Sequence, residues 1–239
     1  MKVPYLFFLL FASVSVSFAG EGKVHLFILS GQSNMARFDP RPTFIPAVES
    51  AFGADQVVVV KDALGGQPIR RWYKDWLVAA GDTTTGPIGD LYDRLMAKVK
   101  PAVEGKELAS VSFVWMQGER DAREKHASLY QEAFNGVLDQ IRKDLQFQDL
   151  NIVVGRLSDF DMSNQRYADW TKLREIQMEI ADSAEYGAWV DTDDLNDGVD
   201  AKGRAIHNDL HYSVEGYKIF GQRLADASIE LIQGRLAGE

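Results

Sequence analysis

Cysteine is absent from the 239 residues. That excludes disulfides, thiolate metal sites and a lipid-modified N-terminal cysteine together. Basic side chains are in deficit: 26 Lys and Arg face 35 Asp and Glu, for a formal net charge of −9. No basic run carries interleaved aromatics, and a surface of this sign repels nucleic acid and anionic membranes. Histidine occurs only four times. No complete metal-binding motif and no glycine-rich phosphate loop of standard spacing is present, so no metal, nucleotide or flavin cofactor is implied. Long apolar runs are missing except at the start, where Tyr5 to Ala12 follows Lys2 and precedes Ser17-Phe18-Ala19. The run is short for a membrane span and has the layout of a cleavable signal over residues 1–19. The expectation is a secreted or periplasmic protein with residues 20–239 as one domain, of no specified oligomeric state, stabilised by its core alone.

The rest of the chain alternates short and long apolar patterns. Val24 to Leu29, Val57 to Val60, Val111 to Trp115, Ile152 to Val154 and Ala188 to Val190 are strand-length and rich in β-branched residues. Between them, Leu91, Leu95 and Val99, then Leu129, Ala133, Val137, Ile141 and Leu145, then Leu173, Ile176 and Ile180 recur at helical spacing. A terminal amphipathic helix follows, with Tyr217, Phe220, Leu224, Ala227 and Leu231 on one face. The alternation predicts an α/β protein, a three-layer α/β/α sandwich around a doubly wound, mostly parallel, five-stranded sheet. There is no internal repeat and no low-complexity linker.

The segment Ser30 to Met35, SGQSNM, leaves the first strand and would present a serine hydroxyl at the sheet edge, where α/β hydrolytic nucleophiles sit. A plain turn has the same residue types. A serine nucleophile needs a base. His25 lies inside a strand and reads as structural, and His126 lies in a charged helical segment and reads as solvated. His207 and His211 remain, of which His211, just before the terminal helix, is favoured. Trp72, Tyr73 and Trp76 precede a polar loop, Asp82 to Gly89, that is placed to border a cleft. Core packing is the competing use of these rings. Asp191, Asp193, Asp194, Asp197 and Asp200 share one loop. An EF-hand alignment on Gly198 puts Leu195 and Arg204 at ligand positions and fails, which leaves an irregular calcium site or a solvated, capping acidic turn.

Four blocks in order, SGQSNM, Gly65-Gly66, WMQGERD (Trp115 to Asp121) and DLHYSVEGYKIFGQRLA (Asp209 to Ala225), resemble the SGNH hydrolases, in particular the sialate O-acetylesterase-like group and the acetylxylan esterases of carbohydrate esterase family six. The resemblance implies the flavodoxin-like SGNH hydrolase fold and a serine esterase that removes acetyl groups from sugar hydroxyls through an acyl-enzyme. In these terms Ser33 is the nucleophile and His211 the base. Backbone N–H groups of Ser33 and of Gly65 or Gly66, with the side chain of Gln117, form the oxyanion hole. Arg70, Trp72 and Asn34 are the candidate sugar contacts: Arg70 or Arg71 could pair with a sugar carboxylate, surface ion pairing with Asp75 or a neighbouring acid being the competing use, and Trp72 could stack on the ring.

Two departures from that pattern matter. The aspartate usual three residues before the histidine is Asn208 here. The orienting acid is therefore assigned to Glu119 first, Asp209 second and a neutral bond from Asn208 third. Met116 stands where histidine is common, which removes a polar contact expected at the cleft. The implied substrate is an acetylated carbohydrate, xylan-type or sialic acid. The alternatives are a non-catalytic carbohydrate-binding relative and a lipase or thioesterase, which would need a long apolar groove.

Overall fold

The computed structural model describes residues 22–76 and 86–238. The expected leader and the first half of the loop Asp82 to Gly89 lie outside them. Five strands, β1 (Val24–Gly31), β2 (Val57–Ala63), β3 (Leu108–Met116), β4 (Asn151–Gly155) and β5 (Gly187–Val190), form one wholly parallel sheet in the order β2-β1-β3-β4-β5. All eight residues of β1 are buried. Burial on both faces is why this strand reads as an unbroken apolar run rather than an alternating one.

Helices cover both faces. On one lie α2 (Phe44–Phe52) and α7 (Val214–Gly238), which pack on each other. On the other lie α3 (Asp90–Val103), α5 (Ala127–Leu145) and α6 (Trp170–Ser183). The predicted helical stripes are the buried ones in α3 and α5, where Leu91, Leu95 and Val99, and Ala133, Val137 and Ile141, enter the core. In α7 the buried line runs through Phe220, Leu224, Ser228 and Ile232, one residue beyond the predicted Ala227 and Leu231. Helix α2, the one-turn helices α1 (Ser33–Arg37) and α4 (Glu119–Glu124), and a two-residue hairpin, β6 (Gly198–Val199) with β7 (Ala205–Ile206), carry too little periodicity to read from sequence.

The sheet order reverses between β1 and β3, and the register sets Gly31 level with Ala63 on one side and Met116 on the other. The three segments that leave these strand ends, Gln32-Ser33, Leu64-Gly65 and Gln117-Gly118, therefore emerge together at the carboxyl edge, where open α/β sheets bind ligands. The exit from β1 depends on Gly31. Its φ is +141° and a Cβ there would lie 2.0 Å from the Met116 carbonyl oxygen, which accepts the Gln32 N–H at 2.9 Å. Any side chain must push β1 and β3 apart below the serine.

Gly31→Ala should cost roughly 3 kcal/mol or more in urea unfolding, from backbone overpacking at a conformation L-residues avoid. Gly234, inside α7 with no atom within 4 Å of its added Cβ, should respond oppositely, Gly234→Ala raising stability by up to about 1 kcal/mol.

Candidate active site

Ser33 opens α1 immediately after Gln32, and as the first residue of a helix its N–H has no intrahelical partner. The loop after β2 lies against it: a Cβ on Gly65 would sit 3.6 Å from the Ser33 Cβ, ordinary contact distance. Gly66 takes φ +71°, which favours glycine. Among the described residues, the N–H groups of Gly65 and Gly66 make no backbone hydrogen bond. The loop is held from below. The Ile69 N–H donates to Asp121 Oδ2 at 2.9 Å, and Gln117 Nε2 donates to the Gln67 carbonyl at 3.0 Å.

His211 stands on the segment between β7 and α7, with 21% of its side chain exposed. Asp209 Oδ1 accepts the His211 backbone N–H at 2.9 Å and lies 3.7 Å from ring Nδ1. Burial and the Arg37 guanidinium lower the imidazole below its ordinary value, against the opposing pull of Asp209. A neutral ring at pH 7 is the state a general base requires.

The serine and histidine segments are fastened together by Asn34. Its Nδ2 donates to the Leu210 carbonyl and to Glu119 Oε1, each at 3.1 Å, and its Oδ1 accepts from the Tyr217 hydroxyl at 2.9 Å. The residue after Ser33 thus holds the residue before His211. Asn34 is 2% exposed, so it braces the site rather than touching a sugar as expected from sequence.

Several other expected contacts are placed differently. Trp72 is fully buried, its Nε1 donating to Ser30 Oγ at 3.1 Å and its ring standing edge-on to Trp115, so it has no free face for a sugar. Arg70 is committed to Glu124 at 2.6 Å, and Arg71 pairs with Asp90. Gln117 is fully buried. Its Nε2 faces Gln32 Oε1, the Gln67 carbonyl and Asp121 Oδ2, and is not turned toward the oxyanion position. Met116 lies in the core, its sulfur accepting from the Tyr212 hydroxyl at 3.5 Å. Asn208, with φ +42°, turns away from His211 and is engaged with Asn196 and the Phe160 carbonyl.

The remaining histidines are elsewhere. His25 bonds Ser110 Oγ at 2.8 Å and packs on Phe52. His126 is tucked beside Trp76 with 15% side-chain exposure, more enclosed than its charged neighbours suggested. His207 is 90% exposed on β7's flank beside Asp197. In the acidic loop, Asp191 and Asp193 pair with Arg156, Asp193 also with Arg174, Asp194 with Arg223 and Asp200 with Arg204. Arginines supply the counter-charge that a calcium ion would otherwise provide. Among the described residues no cluster of His, Asp and Glu is arranged to hold a metal.

Glu119 and Asp121 lie beneath the site on α4, at 1% and 0% exposure. Burial raises each to about 7, partly opposed by the amide donors Asn34 for Glu119 and Gln117 for Asp121. The surroundings show why motif reading placed Glu119 near the chemistry: it is adjacent through Asn34, one residue removed from the ring.

Residues 36–230 match the family described as carbohydrate esterase, sialic acid-specific acetylesterase; the match begins three residues after Ser33. Among solved structures, a protein from Arabidopsis thaliana is similar at 20% identity and TM-score 0.63, with 87% of this chain and 99% of that one covered. A carbohydrate acetylesterase from Xanthomonas citri is similar at 19% identity and TM-score 0.61 over 89% of this chain and 57% of that one. The protein NanS is similar at 14% identity and TM-score 0.57 over 91% of this chain and 98% of that one. These likenesses establish a shared fold. No curated protein matches the chain.

The elevated Glu119 carboxyl gives a signed test. Between the ordinary 4.5 and about 7, the folded protein holds a proton that the unfolded chain releases, so this group lowers stability as pH rises through that window. His25 and His211, both lowered, act in the opposite sense, and the comparison must therefore be differential. In urea unfolding at pH 5 and pH 7.5, Glu119→Gln should gain stability relative to wild type on going to the higher pH. An equal difference at both values would mean that Glu119 titrates normally.

Proposed function

Because the chain belongs to the sialic acid-specific acetylesterase family of carbohydrate esterases, and is thus an ester hydrolase for acetylated carbohydrate, we propose that Ser33, His211 and Asp209 carry the reaction. The observation that supports this most directly is the bond from Asn34 to the Leu210 carbonyl, which fixes the neighbours of serine and histidine against each other. His211 takes the Ser33 proton as Oγ attacks the acetyl carbonyl, then returns it to the departing sugar hydroxyl. Water enters by the same base to release acetate. The N–H groups of Ser33 and Gly65 meet the developing oxyanion, each such donor typically contributing about 3 kcal/mol. Asp209 steadies the imidazolium, since among the described residues its carboxylate is the one within 4 Å of the ring, at 3.7 Å. Glu119 serves as the acceptor that holds Asn34 in place.

A lipase would need a long apolar groove. The cleft beside the site, about 210 Å³, is lined by Pro42, Val214 and Tyr217 but also by Arg37, Asp39 and Lys218. The leader expected in residues 1–19 extends the proposal to an exported enzyme whose mature form begins at Gly20. N-terminal sequencing of the exported protein should read from that residue, and retention of Met1 would exclude it.

Acetate release from acetylated sugars and from p-nitrophenyl acetate tests the catalytic assignment. Ser33→Ala and His211→Ala should each lose on the order of 10³-fold or more in kcat while unfolding normally. The acid limb of kcat/KM should fall below pH 6.5, and Asp209→Asn should move it lower still, because the carboxylate that favours imidazolium is gone. Should Glu119→Gln displace that limb while Asp209→Asn leaves it in place, the two acids exchange roles. Full activity in Ser33→Ala would remove Ser33 as the nucleophile, and binding of acetylated sugar without turnover in wild type would leave a binding protein.

A further inference from the structure

Gly65 and Gly66 stand side by side at the surface, and the trans peptide between them meets no Cβ on turning over. A flip needs only opposed changes in ψ at Gly65 and φ at Gly66, and glycine accepts either sign of φ. The carbonyl and N–H of a trans peptide point opposite ways. One orientation therefore offers a donor to the serine side of the loop, and the other offers a partly negative oxygen. At an oxyanion site the first stabilises and the second repels.

A side chain holds this peptide in one orientation. Gln67 Nε2 donates to the Gly65 carbonyl at 2.8 Å, two residues back along the chain. Gln67 Oε1 accepts from Arg71 Nη1 at 2.7 Å, and Arg71 Nε donates to Asp90 Oδ1 at 2.9 Å. Asp90 opens α3, so the relay ends on a helix. A guanidinium only donates and a peptide carbonyl only accepts. The group between them must do both, and the Gln67 amide must lie with its nitrogen toward Gly65. Below the turn, Gln117 Nε2 reaches the Gln67 carbonyl at 3.0 Å, and Asp121 takes the Ile69 N–H at 2.9 Å. Those bonds fix the backbone from residue 67 onward. The peptide before it is left to the Gln67 side chain, which among the described residues supplies the hydrogen bond to the Gly65 carbonyl, while the Gly66 N–H has no backbone partner.

We propose that Gln67 is a positioning residue for the ester hydrolysis: it latches the Gly65–Gly66 peptide so that the carbonyl is kept out of the oxyanion site and the N–H faces it. This rests on the assignment of Ser33 as nucleophile, and it adds the Gly66 N–H to the donors of Ser33 and Gly65. Glycines that let the loop approach a substrate closely also leave its peptide free to turn, so the constraint has to come from a side chain beyond them. Arg71 then has a use that is not a sugar contact. Its charge, shared with Asp90, orients the amide that orients the peptide.

The experiment compares wild type with Gln67→Glu, Gln67→Met and Arg71→Met on p-nitrophenyl acetate and on an acetylated sugar, and measures inhibition by methylboronic acid, whose adduct with Ser33 is a tetrahedral anion. Both substrates carry the same acetyl group and pass through the same oxyanion. Glutamate keeps the length of the side chain but sets a carboxylate oxygen against the Gly65 carbonyl. Gln67→Glu should therefore lower kcat by roughly tenfold or more, by similar factors on both substrates and with KM little changed, short of the roughly 10²–10³-fold loss on deleting a donor outright. The boronate Ki should rise by the factor by which kcat/KM falls. Gln67→Met, which removes both bonds and adds no charge, should lose less, and adding Arg71→Met to it should have little further effect, because the two act through one relay. A loss confined to the sugar and expressed in KM would make Gln67 a sugar contact and overturn the proposal, as would an unchanged kcat and boronate affinity in Gln67→Glu while turnover still depends on Ser33. Turnover that survives Ser33→Ala removes the esterase assignment itself, so the two failures are distinguishable.

Discussion

Four stretches of chain converge on the side-chain amide of Asn34: its own short helix, α4 through Glu119, the histidine segment through Leu210, and α7 through Tyr217. Both amide hydrogens and the oxygen are used, in a place with almost no access to water. A buried amide so committed gives up several kcal/mol if its partners separate, because each would be left unpaired. The separation between serine and histidine is therefore set by an amide one residue away from each and not by the reacting groups themselves. In the proposed reaction this leaves the serine hydroxyl and the imidazole to exchange a proton without also having to hold the fold together. The sheet supplies the coarse placement, by bringing the ends of β1, β2 and β3 level. Asn34 supplies the fine one.

Electrostatics at the site follow from the same arrangement. The protein is acidic, and its loop of aspartates is neutralised by Arg156, Arg174, Arg204 and Arg223. Arg37 is spared this duty, and its charge holds His211 toward the neutral form while Asp209 pulls the other way. A base placed between a cation and a carboxylate, and half-buried as well, remains deprotonated near neutrality yet has a partner when it becomes charged. The arrangement suits general-base catalysis better than either neighbour alone would.

Much of this was legible in the sequence, and the reason differs by feature. All five sheet strands are readable because each is short, apolar and bounded by polar turns, and their parallel pairing follows from the helical stripes between them. The segments carrying Ser33, Gly65, Glu119 and His211 are readable because the motif residues lie at strand ends and loops. Which side chains line the cleft is another matter. Trp72, Arg70, Asn34 and Gln117 are all polar or amphipathic residues beside motif positions, and each faces inward. Direction of this kind depends on packing against segments distant in sequence, such as Trp115 for Trp72 and Glu124 for Arg70, and no local pattern records it.

The two buried carboxyls on α4 complete the argument about what the motif WMQGERD specifies. Glu119 Oε2 and Asp121 Oδ1 are buried oxygens that no protein hydrogen-bond donor meets. The oxygens that are met receive amide hydrogens, from Asn34 in one case and from Gln117 and Ile69 in the other. If both groups were ionised, two charges would share one turn of helix in a poorly solvated space, a costly state. Burial is the main cause that raises both carboxyls to about 7, with the Asp121 charge adding to it at Glu119 and the Glu124 charge at Asp121, and a proton on the unmet oxygen of each removes that cost. Carboxyls in this condition are poor stabilisers of an imidazolium, which needs a full negative charge beside it. They are good acceptors for amides, and through Asn34 and Gln117 they hold the histidine segment and the glycine loop. The motif therefore builds a buried platform that holds the serine and histidine segments, and in the proposed reaction the negative charge beside His211 is that of Asp209, on the ring's more accessible side.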